Sequence, residues 1–305
     1  MFPLIFQQLI VMLFIMIIGY VSFKTKLLNQ STNKAFSTFL LIVATPAMII
    51  YAYQIDYDIR MSILLLYAFV AAILSQAIGI LVTTLFIPKK NNPEFSIERL
   101  SGVYSNCSFM GIPLINATIG PEGVFFLSAY IAIFNLLLWT HGVSLLKDGF
   151  SMKQLRQGFL SPVFIATLLA IFLYFTRIRF PALLNDSLNM ITVTVAPLAM
   201  MVAGISLAQA NLRKIFIKFH IYKVAFLRLL LIPFLTLGVL VPLNLEPRVA
   251  FTILIASACP TATASVLMAI RYNKNHILAS ELFVSSTILG AITIPFVVFI
   301  AEFVL

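Results

Sequence analysis

Residues 99–121 read RLSGVYSNCSFMGIPLINATIGP, a run long and apolar enough to cross a membrane. Its middle carries Asn106, Ser108, Gly111 and Pro113, which a plain lipid-facing helix avoids. A second stretch, Arg248 to Arg271, repeats the pattern with Cys259-Pro260-Thr261-Ala262-Thr263. Inside a bilayer every backbone N–H and C=O needs a partner, so a broken helix survives only where protein or a water-filled cavity supplies one. Two interrupted segments at matching places in the two halves of a chain point to a transporter's binding site.

The composition fits that reading. Of the 305 residues, 61% are hydrophobic and 10% charged, and the mean hydropathy is +1.06. Soluble domains run at roughly 25% charged and 45–50% apolar, so this chain is an integral membrane protein. Its apolar runs are about 20 residues of Leu, Ile, Phe, Val and Ala, whereas a barrel alternates in segments of roughly 10. The fold class is all-α and multi-pass. A net charge of +10 would suggest nucleic acid in a soluble protein, but here the basic residues sit in short loops and no nucleic-acid partner is expected. Met1 to Phe23 has no basic start and is longer than a signal peptide's apolar core, so it reads as a retained helix. Cys107 and Cys259 both lie in apolar runs and suggest neither a disulfide framework nor a zinc site. No metal and no cofactor is expected.

Ten spans can be drawn, at 3–23, 35–54, 61–87, 100–119, 123–146, 159–176, 184–209, 219–241, 249–270 and 277–302. The loops after the odd-numbered spans hold 15 Lys and Arg, Lys153, Arg213 and Lys214 among them. The loops after the even-numbered spans hold 4. That bias puts the odd loops in the cytoplasm and both termini outside the cell membrane. The Arg177/Arg179 pair runs against it.

The halves, 1–150 and 151–305, resemble each other. Thr45-Pro46-Ala47-Met48 in span two and Ala196-Pro197-Leu198-Ala199-Met200 in span seven put their prolines 151 apart, and Pro113 and Pro260 are 147 apart. Five spans per half make the second half enter the membrane the opposite way, giving a 5+5 inverted repeat.

A proline removes a donor and clashes with the preceding turn, and glycine tolerates non-helical angles. A half-helix is expected to begin after Pro113 and another after Pro260, each with free N–H groups and a partial positive charge at mid-membrane. Asn106, Ser108, Thr261, Thr263 and Ser265 could supply hydrogen bonds to an anion there. Single prolines merely kink membrane helices; two symmetric breaks with polar neighbours argue for a site. Charged residues inside spans are functional candidates by default. Glu281 lies roughly 9 Å into span ten; it either carries a proton or pairs with a core cation, or else reaches the cytoplasmic interface or pairs with Arg271 or Lys274. Arg228 either snorkels or attracts an anion. His141, beside Trp139, reads as part of an interfacial belt. Asn135 and the Ser285-Ser286-Thr287 cluster either line the core or bond between helices.

The run from Asn106 to Leu114, with Met110-Gly111-Ile112-Pro113 inside it, resembles a signature of the auxin efflux carrier family. That family includes the plant PIN-FORMED carriers and bacterial malate-permease-like proteins. Arg271-Tyr272-Asn273 followed by His276 and Ile294-Pro295, and Ala196-Pro197 followed by Gly204-Ile-Ser-Leu207, resemble its later helices. The resemblance covers essentially the whole chain. It implies a fold like that of sodium/proton antiporters and bile acid symporters, with spans 1, 2, 6 and 7 as scaffold. Spans 3–5 and 8–10 would form a moving, elevator-like core in which spans 4 and 9 cross. Asn106, Pro113 and Pro260 would lie at the substrate site, and the scaffold would mediate a homodimer. Two features depart from the family. The chain has no long loop between its halves, and Val193 and Thr194 stand where many bacterial relatives place an acid.

No His-Glu-x-x-His, nucleophile elbow or phosphate loop is present, so no enzyme activity is expected. The expected function is export of a small organic anion, a carboxylate or an indole acid, across the lipid bilayer. The rivals are a sodium- or proton-coupled symporter, and a transporter-like sensor that binds without moving its ligand.

Overall fold

The computed structural model describes residues 1–147, 152–209 and 218–305, with backbone alone at 152–155. The Lys153 side chain, Arg213, Lys214 and the repeat boundary at 150/151 lie outside the described residues. Regular structure among the described residues is helical throughout. In chain order the helices are α1 (Phe2–Lys24), α2 (Gln30–Ala52), α3 (Ile59–Phe86), α4 (Phe95–Val103) and α5 (Cys107–Thr118). They continue as α6 (Pro121–Leu146), α7 (Met152–Phe159), α8 (Pro162–Phe175) and α9 (Ala182–Gln209). The last four are α10 (Phe219–Leu240), α11 (Pro247–Ala258), α12 (Thr263–Arg271) and α13 (His276–Ala301). Seven of these, α1, α2, α3, α6, α9, α10 and α13, are long and apolar enough to cross a membrane. Predicted spans four, six and nine contain the shorter apolar helices α5, α8 and α11.

Local chemistry sets the helix starts. Asn29 Oδ1 accepts from Thr32 N at 3.0 Å, Asp58 Oδ1 from Arg60 N at 2.8 Å and Asn275 Oδ1 from Leu278 N at 3.0 Å. Prolines open α6, α8 and α11, where the first N–H has no partner to lose. Within the spans, prolines act differently. Wide turns at Leu40–Ala44, Cys107–Gly111 and Leu227–Leu231 lead into Thr45-Pro46, Ile112-Pro113 and Ile232-Pro233. Widening one turn moves the upstream carbonyl off the proline ring and absorbs the missing donor. The helix therefore passes through Pro113 instead of breaking there, and Gly111 has ordinary helical angles (φ −65°, ψ −45°).

Two packing groups stand out, joined where α6 meets α8 and α2 and where α5 meets α1 and α9. α1 lies along the second half of α9, and α2 packs on α8 and the first half of α9. In the other group α3 packs on α6, α10 and α11, while α13 packs on α10, α11 and α12. α1 and α9 approach to backbone contact. A Cβ on Gly19 would sit 2.5 Å from the Met201 carbonyl oxygen, and one on Gly204 would strike that of Met16. Small residues allow this in lipid, where close packing rather than water exclusion joins helices.

Two further contacts order the ends. Glu302 beyond α13 bonds the Met1 ammonium at 2.5 Å and Phe2 N at 2.7 Å, so α1 starts beside the end of α13. Arg179, one of the two basic residues that run against the loop bias, pairs with Asp56 at 2.6 Å, and Arg177 lies 4.7 Å over the Tyr57 ring.

Candidate functional site

Two helix interruptions meet in the interior. After α4 the chain turns extended at Tyr104 (φ −92°, ψ 112°) and resumes as α5 after Asn106. After α11 it is extended at Cys259 (φ −59°, ψ 148°), the residue before Pro260, and resumes as α12 after Ala262. The two extended pieces run antiparallel and pair at Ser105 and Thr261. Asn106 N donates to Pro260 O at 2.7 Å, and Ala262 N donates to Tyr104 O at 2.8 Å. Each break thus gives the other the partners that lipid could not. Thr261 strengthens the joint: its hydroxyl donates to Ser101 O at 2.9 Å, and its N–H donates to Ser286 Oγ at 3.0 Å.

The ends differ in polarity. α4 and α11 bring their carbonyl ends to the crossing, and α5 and α12 bring their N–H ends. Arg228, 1% exposed on the wide turn of α10, serves the carbonyl ends. Its Nη1 donates to Val103 O at 2.7 Å and to Gly102 O at 3.2 Å, and its Nη2 donates to Ser257 O. Among the described residues no side chain caps the N–H ends. Asn106 sits at the start of α5, 5% exposed, with its Nδ2 donor buried and unpartnered. Near the start of α12 the hydroxyls of Thr263 and Ser265 are likewise buried without a partner.

A cavity of about 300 Å³ opens on the second half of α5, away from the crossing. Ile112, Pro113, Asn116 and Ala117 form one wall, facing Met48 and Tyr51 of α2, Gln8 of α1 and Asn189, Thr192 and Val195 of α9. Among the described residues no Lys, Arg, Asp or Glu lines it. Val124 of α6 also lines it, so its walls come from both packing groups, with Thr192 Oγ1 buried and unpartnered.

A model of membrane transport proteins, that of the auxin efflux carrier family, matches residues 4–298. The chain belongs to this family. It is a multi-pass membrane transporter. A search of curated proteins returns no match.

The transporter's crossing gathers Asn106, Pro260, Thr261 and Ser286, with Ser265 buried in the first turn of α12. Ser108 is half-buried in the wide turn of α5, and Gly111 lies against Cys259, where an added Cβ would be 3.5 Å from its Sγ. Pro113 belongs to the cavity. Three expectations need correction. The first break falls at Tyr104–Asn106, upstream of Pro113, because the wide turn accommodates that proline. Arg228 does not snorkel: it is buried, its Nη1 and Nη2 donate to carbonyls, and its Nε is buried with no partner among the described residues. Glu281 pairs with Lys218, at 2.6 and 2.8 Å, and not with Arg271 or Lys274; Arg271 instead lies 5.1 Å over the Trp139 ring. Asn135 donates to Ile131 O of its own helix at 2.8 Å, so that amide is not joined to the Ser285–Thr287 cluster. His141 Nδ1 lies 3.0 Å from the Tyr104 hydroxyl, which ties α6 to the break.

Sequence reading missed Gln8, Tyr51, Asn116, Asn189 and Thr192. Gln8 is beside Gln7, Asn189 follows Asn185-Asp186-Ser187 and Thr192 is two residues from Thr194, and nothing local marks that the five converge.

Proposed function

We propose that the protein is a secondary carrier of a small organic anion, working by alternating access around the crossed half-helices. The crossing carries this reading: two N–H ends meet there uncapped, beside the unpartnered Asn106 amide. Each such end has about half a positive charge, and its free N–H groups favour anions. The cavity is the approach to α5. A cavity of this size is at the lower end of the roughly 300–1,000 Å³ usual for small-molecule pockets. Its apolar walls, neutral amides and lack of basic side chains favour a monocarboxylate with an apolar body, such as an indole acid, over a dicarboxylate such as malate.

The architecture in this reading is ten spans in two inverted five-helix repeats, 1–150 and 151–305. α1, α2, α8 and α9 form the scaffold, and α3–α6 with α10–α13 form the moving core. The two packing groups and the antiparallel joint support it. The protein sits in the cell membrane with both ends outside, a placement supported by the loop charges and by the Glu302 contact that holds α1 and α13 end to end. A homodimer through the scaffold completes the proposal. A potential negative inside drives anion export at about 2.3 kcal/mol per charge per 100 mV, with no coupling ion.

Flux of a carboxylate panel from proteoliposomes, with and without sodium and pH gradients, tests this. Voltage-sensitive flux that ignores both gradients is expected. Flux that follows an ion gradient replaces the reading with a coupled symporter, and saturable binding without flux replaces it with a sensor.

A further inference from the structure

Three carbonyl oxygens, from Gly102, Val103 and Ser257, converge at the crossing from the ends of two half-helices. A helix C-terminus carries about half a negative charge, so the two together present roughly one. In the membrane interior that charge needs a counter-charge, and carriers that couple to sodium place the ion against such half-helix carbonyl ends. Here a guanidinium is already present. Arg228 is 1% exposed and forms none of the ion pairs seen among the described residues. Tyr130, Cys107 and Cys259 lie beside it, and none of them is a carboxylate. The wide turn before Pro233 sets its position, which the backbone of α10 therefore holds.

We infer that Arg228 is a built-in cation standing where an ion-coupled carrier binds its metal ion, so that the crossing closes with no ion bound. Arg228 is a positioning residue: it holds the carbonyl ends together, and the opposite N–H ends stay aimed at one space. Removing the side chain leaves an oxygen-lined hole with net negative character, which is a latent site for a small cation. This goes beyond the transport proposal and needs no substrate to test.

The test is thermal melting of the purified full-length protein in detergent, with sodium exchanged for N-methylglucamine. The wild type is expected to melt at the same temperature in both. Arg228→Ala is expected to melt several degrees lower. Guanidinium, at concentrations too low to affect the wild type, or sodium should restore part of that loss. A merely structural role would lower the melting point without cation-specific recovery. Arg228→Lys against Arg228→Gln serves if the alanine variant does not fold: both lose the fork, and the lysine variant, which keeps the charge, should melt clearly higher. The inference is overturned by a wild type that sodium stabilises, by an alanine variant that no cation restores, or by equal melting of the lysine and glutamine variants.

Discussion

The crossing and the cavity share helix α5 but are built from opposite materials. At the crossing the backbone is unwound, and the polar groups that bond there, from Tyr104 to Ala262, bond to protein. Its one strong charge, Arg228, is tied to carbonyls. At the cavity the backbone is helical apart from one turn at Thr194, and neutral side chains face open space with no charge among the described lining residues. In the proposed carrier the difference divides the labour of recognition. The crossing would offer fixed, oriented dipoles that select for negative charge, held by its mutual bonds. The cavity would offer shape and hydrogen-bonding amides for the body of the substrate. It also lies between the two packing groups, so their relative motion would remake it.

Three substitutions separate the two regions. Asn106→Ala should have the largest effect on transport. It removes a donor to a charged ligand, worth about 1.5–3 kcal/mol, or roughly 10- to 100-fold in flux. The backbone bond from Asn106 to Pro260 survives, so the melting temperature should hold; flux at the wild-type rate would move the anion site away from the crossing. Thr192→Val and Asn116→Leu should each raise KM about 5-fold, the effect of one neutral hydrogen bond at about 1 kcal/mol. An unchanged KM in both would take the cavity off the substrate path. Glu281→Gln belongs to neither region and should do least. Lys218, 39% exposed, can be hydrated when its partner is lost, so melting should fall by only a few degrees. The pH profile of flux should not move, and a profile that flattens would make Glu281 a proton carrier.

The residues differ in how far they could be read in advance. Apolar runs fix helices because lipid leaves the backbone no other partner, and Pro260 correctly marks its break because its ring forces Cys259 extended. Pro113 misleads, since a wide turn removes its clash and the chain instead unwinds at Ser105-Asn106, where another segment offers hydrogen bonds. Arg228 stood out as a charge inside a span, but its partners lie 125 to 126 positions upstream and 29 downstream, out of reach of any local pattern. Gly204 was visible within a motif, while its role as the point where α9 meets the α1 backbone was not.

The sequence by itself determined a multi-pass helical membrane protein of a known transporter family, and it located two polar interruptions in matching halves. Hydrophobicity and proline geometry act over a few residues, so they can be read from a few residues. Only the tertiary structure decided that the interruptions join, that Arg228 closes their carbonyl ends, and that five scattered polar side chains share one cavity. Those outcomes depend on which backbone groups find partners across the fold, and in a membrane interior an unpartnered group costs too much to leave that choice to local preference.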